Sequence, residues 1–174
     1  MQGRVGEGAA PGTGAEAGTQ FATQASAAQH RAPRPPLPVV LDTNIVLDLF
    51  IFQDPATQVL RSALDSGHLQ WLATPDMREE LLRVLDYPQL QPRLAFYRLT
   101  DEQVMAAFDA RATLCTAAAK APCTCKDPDD QKFIDLAVAH QAVLMSKDKA
   151  VLAMRKRLER LGVALNPGAD KKAL

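Results

Sequence analysis

The chain of 174 residues has no surplus of either charge: twenty Lys and Arg balance twenty Asp and Glu. A strongly basic protein that coats nucleic acid by charge alone is therefore excluded, and any nucleic-acid partner must be held by a local patch. No apolar run approaches the roughly 20 residues needed to span a bilayer, so no membrane partner is expected. The N-terminus lacks the unbroken apolar stretch of a signal peptide. Cysteine is scarce and odd in number, at three residues, which argues against a secreted disulfide scaffold and makes a reduced cytoplasmic location the default expectation. No Gly-rich phosphate loop and no Ser/His/Asp set stands out. Cys115, Cys123 and Cys125 offer only three thiols, and Cys-x-Cys is tighter than the usual spacing of a structural zinc site, so a zinc reading is set aside.

What is present is a hydrophobic fraction of 47%, enough for a real core. It is unevenly spread. Residues 1–37 hold six of the nine glycines and lead into the run Arg31-Ala-Pro-Arg-Pro-Pro-Leu-Pro38, with Phe21 as the clearest large apolar residue. Such a segment cannot bury enough surface to offset chain entropy, and it is expected to be a disordered, low-complexity tail. The folded domain is expected over 38–166, with 167–174 as a short flexible tail.

Within the domain, Val39-Val40-Leu41 reads as a buried strand ended by Asp42-Thr43-Asn44. Ile45 to Phe52 reads as helical. Asp54-Pro55 looks like a cap followed by Pro at the first helical position, opening a helix to about Asp65. Leu69 to Ala73 reads as a strand that carries Trp71 into the core. Thr74-Pro75-Asp76 starts a helix ending before Tyr87-Pro88. Thr100 to Gln103 resembles a capping box and predicts a helix to about Ala119. Asp127-Pro128 predicts a helix to about Ala139. Val143 to Met145 reads as a strand, 148–161 as a helix capped by Gly162, and Val163 to Leu165 as a last strand. Strands alternating with helices predict an α/β fold with a parallel sheet, whose ligands bind outside the carboxyl ends of the strands.

The acidic residues fall at those ends. Asp42 follows the first strand, and Asp148 lies just past Ser146 after the Val143–Met145 strand. On a helical wheel Met77, Leu81, Val84 and Leu85 share an apolar face; Glu80 sits at its edge, whereas Glu79 points to solvent. Asp130 precedes Phe133, Ile134 and Ala137 by three, four and seven residues, which predicts a position on the buried face of the first turn. Asp135 is expected to project away from that face. Taken singly, each acid has a plainer account: Asp127 and its neighbours cap a helix, Glu80 is half of a surface pair, and Asp148 caps the helix after it. Jointly, Asp42, Glu80, Asp130 and Asp148 can reach one rim. Four carboxylates in one cleft repel each other unless a cation sits between them. An all-oxygen ligand set suits Mg²⁺ or Mn²⁺, and phosphoryl chemistry is a task for such a site.

The segments VVLDTNIVLDL (Val39–Leu49), EELLRVL (Glu79–Leu85), DPDDQKFIDLA (Asp127–Ala137) and VLMSKDKAVL (Val143–Leu152), in this order and spacing, resemble the PIN domain. The likeness is greatest to bacterial PIN proteins of the VapC type, toxin components of toxin–antitoxin pairs. The resemblance covers about Pro38 to Leu165. It implies a three-layer α/β/α fold with a central parallel sheet and a Mg²⁺- or Mn²⁺-dependent ribonuclease whose products carry a 5′-phosphate and a 3′-hydroxyl. It places the acids that hold metal and act in catalysis on Asp42, Glu80, Asp130 and Asp148, with Thr43, Asn44 and Ser146 as polar neighbours supporting them. In many relatives a further Asp stands two residues after the fourth acid; here that position is Ala150. It also implies an RNA substrate and a cognate antitoxin protein as partners.

Lys147, Arg155, Lys156 and Arg157 belong to a locally basic stretch that either contacts RNA phosphates or is a solvated outer helix face. Leu47, Leu49, Phe50 and Phe52 either pack internally or form a homodimer face. Three competing functions are weaker. A phosphatase of the haloacid-dehalogenase type needs a second Asp two residues after the first, where this chain has Asn44. A receiver-like phosphoacceptor domain needs a single acceptor Asp on a mid-chain strand, and none is presented. A catalytically degenerate PIN domain that binds RNA or protein is the non-enzymatic alternative; Ala150 favours it and the four retained acids oppose it.

Overall fold

Residues 35–167 are described by a computed structural model, in which four parallel strands form one sheet in the order β3-β2-β1-β4. The strands are β1 (Leu37–Leu41), β2 (Leu69–Ala73), β3 (Ala112–Leu114) and β4 (Val143–Met145). With helices flanking the sheet, the architecture is the expected three-layer α/β/α fold. The expected tail over 1–37 lies outside the described residues except for its last three, and so does 168–174.

β1 explains the arrangement. Val39 and Val40 are fully buried and Leu41 is 2% exposed, as befits a strand with neighbours on both edges and helices on both faces. Its register sets Val39 opposite Trp71 and Val40 opposite Leu72 on one side, and Val39, Val40 and Leu41 opposite Val143, Leu144 and Met145 on the other. The chain leaves β1 toward β2, while it leaves β4 toward Leu165, which bridges Leu144 on the far edge. The crevice at the carboxyl ends of β1 and β4 is thus a topological switch point, where open α/β sheets bind ligands.

Between β1 and β2 lie α1 (Thr43–Leu47), a π-helical stretch at 48–52, a 3₁₀ turn at 55–57 and α2 (Gln58–Asp65). Asp54 caps the 3₁₀ turn, its side chain accepting from the Ala56 amide at 2.9 Å. The 48–52 stretch turns Leu49, Phe50 and Ile51 into the core, with Leu47 and Phe52 packed at its margin. Internal packing therefore accounts for the apolar run that was a candidate dimer face. α3 (Pro75–Leu85) starts at Thr74, as its sequence predicts, and buries Met77, Leu81 and Leu85. α4 (Gln91–Tyr97) follows, in a stretch where the sequence makes no assignment.

Four expectations are corrected. The helix opened by the Thr100 capping box is α5 (Asp101–Asp109), not one running to about Ala119; the chain then forms β3, paired with β2 from Trp71↔Ala112 to Ala73↔Leu114. The alanines beyond Asp109 have high helix propensity, but the open edge of β2 offers backbone partners, and the Cys115 amide extends the ladder to the Ala73 carbonyl at 2.9 Å. The helix after Asp127 begins later, as α6 (Gln131–Ala139), because Asp127 closes a turn on the Asp129 amide at 3.0 Å. The expected 148–161 helix is two short ones, α7 (Lys149–Leu152) and α8 (Arg155–Arg160). Between them the bonding tightens to i−3, with the Met154 amide on Val151 and the Arg157 amide on Met154. The expected last strand is reduced to the single Leu144–Leu165 bridge.

Trp71 is the largest fully buried side chain, 1% exposed, edge-on to Phe108 at 4.7 Å between centroids and tilted against Phe50 at 6.0 Å. Trp71→Ala is expected to cost about 3–5 kcal/mol. Denaturant unfolding followed by circular dichroism checks this; a loss below about 1 kcal/mol would show that the cavity collapses at little cost.

Candidate metal centre

One residue past the last β1–β4 pair, Leu41 opposite Met145, the two strands present Asp42 and Ser146. The ladder continues there, with the Asp42 amide donating to the Met145 carbonyl at 2.9 Å. Both side chains are buried, Asp42 at 3% exposure and Ser146 at zero. The Ser146 hydroxyl donates to Asp42 Oδ2 at 2.5 Å, and Asn44 Nδ2 donates to the same oxygen at 3.1 Å. Of the three polar neighbours, Ser146 and Asn44 thus bond Asp42 through their side chains.

The next residue along, Thr43, links β1 to α3: its hydroxyl donates to Glu80 Oε1 at 2.7 Å. Glu80 is half-buried and Glu79 exposed, as the wheel predicts. On the other side of the cleft Ser146 Oγ accepts from the Asp148 amide at 3.0 Å, and Asp148 Oδ1 caps α7 through the Ala150 amide at 2.6 Å.

Asp130 is the residue just before α6 rather than within its first turn. Its Oδ2 is buried and has no hydrogen-bond partner. Its pKa is raised from 3.8 to about 7, first by burial and then by the charges of Asp42 and Asp148. Burial also raises the pKa of Asp42, with Glu80 and Asp148 adding to the rise and the Ser146 hydroxyl and Thr43 amide opposing it. Asp42 thus lies near enough to Glu80, Asp148 and Asp130 for their charges to act on one another, and Asp130 near enough to Asp148.

Three residues that sequence reasoning missed complete the surroundings. Lys132, one residue into α6 beyond Gln131, forms an ion pair with Glu80 and donates to the Asp129 carbonyl at 2.6 Å. Its place in the same short segment, two residues after Asp130, was the only available signal. Asn166 clamps Ser146, its Oδ1 accepting from the Ser146 amide at 2.9 Å and its Nδ2 donating to the Ser146 carbonyl at 2.6 Å. No motif marks it. Asp135, expected to point away, is half-buried and accepts from the Ala121 amide at 2.8 Å and Gln131 Nε2 at 2.6 Å, tying down the loop before α6.

Of the four candidate RNA-binding cations, two are engaged within the chain. Lys147 pairs with Asp48 and, at 3.7 Å, with Asp54; Arg155 Nη1 donates to the Leu165 carbonyl at 2.7 Å. Lys156 and Arg157 are exposed.

The donor set fits a hard divalent cation: it is all oxygen, it is crowded with like charge, and one buried carboxylate oxygen lacks a partner. Among the described residues no three acidic, histidine or cysteine side chains already meet at one point. Asp42, Glu80 and Asp148 are each engaged by donors of the chain itself.

A profile of the PIN domain matches residues 38–150. The chain belongs to the PIN-domain family, whose members are generally nucleases that use divalent metal ions. A comparison with curated proteins found no match. Among solved structures, the crystal structure of VapBC2 from Rickettsia felis bound to a DNA fragment from their promoter is similar, with a TM-score of 0.50 at 14% identity over 74% of this chain and 97% of that one. At that identity the likeness is one of fold. No helix among the described residues is long and apolar enough to cross a membrane.

The Asp130 shift has a testable sign. A carboxyl whose pKa is raised by folding destabilises the native state once pH exceeds the ordinary value near 4, and the penalty is complete above about 7. In chelator-treated protein Asp130→Asn is therefore expected to melt above the wild type at pH 8, with the difference gone by about pH 4. Thermal melts across that range check it; a lower melting temperature for the variant at pH 8 would contradict the crowding of charge.

Proposed function

We propose that this protein is a Mg²⁺- or Mn²⁺-dependent endoribonuclease of the cytoplasm and the toxin of a toxin–antitoxin pair. The observation that carries the reading is the Asp130 carboxylate oxygen buried without a partner, on a group that feels the charges of Asp42 and Asp148, while Asp42 in turn feels Glu80 and Asp148. Asp42, Asp130 and Asp148 would hold the ion, with Glu80 binding directly or through water. When bound, the ion supplies Lewis-acid polarisation of an RNA phosphodiester and a bound water of lowered pKa.

The chain's own residues prepare that site. Ser146 and Asn44 hold Asp42 in one orientation through the same oxygen, leaving Oδ1 of that carboxylate as the ligand. Thr43 holds Glu80, and the Lys132 ammonium balances part of its charge. The clamp of Asn166 keeps the Ser146 backbone fixed, so the hydroxyl bridges Asp42 and the Asp148 amide together. Support for a protein antitoxin comes from the fold shared with the chain of the Rickettsia felis VapBC2 assembly and from the VapC-like motifs.

Cleavage of labelled RNA with Mn²⁺, Mg²⁺ or chelator tests the reading. Wild type is expected to cut only with metal, producing 5′-phosphate ends, and Asp42→Asn or Asp130→Asn to abolish cutting. Ser146→Ala is expected to lose about 10–100-fold in rate, as is usual for residues that support metal ligands. An Asp42→Asn protein with full activity would end the assignment. A wild type that binds RNA without cutting it, and that Mn²⁺ does not stabilise against heat, is instead a degenerate binding module.

A further inference from the structure

We propose that Lys126, Lys149 and Arg157 form a phosphate-binding subsite for an RNA strand, immediately beside the carboxylate rim; the proposal rests on the ribonuclease reading. An open cavity of about 600 Å³ lies between the loop preceding α6 and the paired short helices α7 and α8. That volume falls within the range of about 300–1,000 Å³ usual for small-ligand sites. Lys126 enters it from the loop, Lys149 from the first position of α7 and Arg157 from α8, so three cations from three segments face one space. Ala150, Ala153 and Met154 supply an apolar floor.

Two features distinguish this cavity from an ordinary solvated helix face. No acidic residue lines it, and none of the three cations has an ion pair among the described residues, whereas Lys132 and Lys147 are both paired with carboxylates. Its place is also specific. Lys149 and Ala150 directly follow Asp148, and Lys126 directly precedes the Asp127–Asp130 segment. A phosphate held there therefore sits next to the acids. Ala150 matters by what it does not carry: a carboxylate at that position would put a negative charge into the lining. With alanine, the cavity combines positive charge for a phosphate with methyl and thioether groups against which a ribose or base can lie.

All three side chains are exposed, so their neutralisation leaves folding intact, which circular dichroism checks. The test is fluorescence anisotropy of a short single-stranded RNA with the full chain in chelator, across a KCl series. Each phosphate contact contributes about 0.7 to the slope of log affinity against log salt, so K126Q/K149Q/R157Q is expected to flatten that slope by about 2. R157Q alone is expected to flatten it, and K156Q, its exposed neighbour outside the cavity lining, to leave it unchanged. An unchanged slope in the triple variant, or equal losses for K156Q and R157Q, overturns the subsite. Repeating the series with 5′-hydroxyl and 5′-phosphorylated RNA identifies the phosphate: a loss seen with both assigns an internal phosphate, and a loss confined to the second assigns a terminal one. A wild type that fails to cut RNA in Mn²⁺ while the slope difference persists removes the ribonuclease reading and leaves the phosphate site standing.

Discussion

The hydrogen bond between Ser146 and Asp42 is the constraint on which the rest of the site depends. It joins positions more than a hundred residues apart in the chain, and it forms because two parallel strands end level with each other. A shift of one residue in the β1–β4 register would turn every apolar side chain of β4 to the opposite face. The core therefore guards the register, and the register guards the pairing of acid and hydroxyl. From that pair the network spreads in two directions, through Thr43 to α3 and through the Asp148 amide to α7. Buried polar networks of this kind hold a unique geometry only when their members are satisfied. Here the exception is one oxygen of Asp130, at the place a ligand would occupy.

The crevice concentrates like charge, and the fold offsets it in several ways. Hydroxyl and amide donors take up part of the negative charge on Asp42, Glu80 and Asp148, and Lys132 contributes a full positive charge against Glu80. What is left over falls on Asp130, whose pKa is pushed to about 7 by burial and by its neighbours. Perturbed groups of this kind gather at functional sites, because the strain is what a ligand relieves.

Much of this was legible in the sequence because the acids sit at element ends, where a run of apolar residues gives way to a polar one. Asp42 after Val39-Val40-Leu41 and Asp148 after Val143-Leu144-Met145 are legible in this way, and Glu80 follows from the period of α3. β3 was not legible. Ala112, Thr113 and Leu114 lie on an edge strand, half-buried to exposed, and carry no alternation strong enough to override the helix-forming alanines around them. Asn166 was not legible either, since its role depends on the third dimension: the chain must first cross α7 and α8 and return beside β4 at Leu165. The split between α7 and α8 falls in an unbroken helix-like pattern, where Arg155 is drawn instead to the Leu165 carbonyl. In each case long-range pairing decides what local propensity leaves open.

The clamp at Asn166 bears on where the structural unit around the acidic crevice ends. The PIN-domain profile stops at residue 150, sixteen positions short of it. A fragment trimmed to that boundary would keep all four acids and all four strands. It would nonetheless lose the amide that satisfies both backbone groups of Ser146, and with it the firmness of the hydroxyl on which Asp42 rests. The self-sufficient unit that holds this site together is accordingly longer than its family signature, and its carboxy-terminal return is a structural part of it.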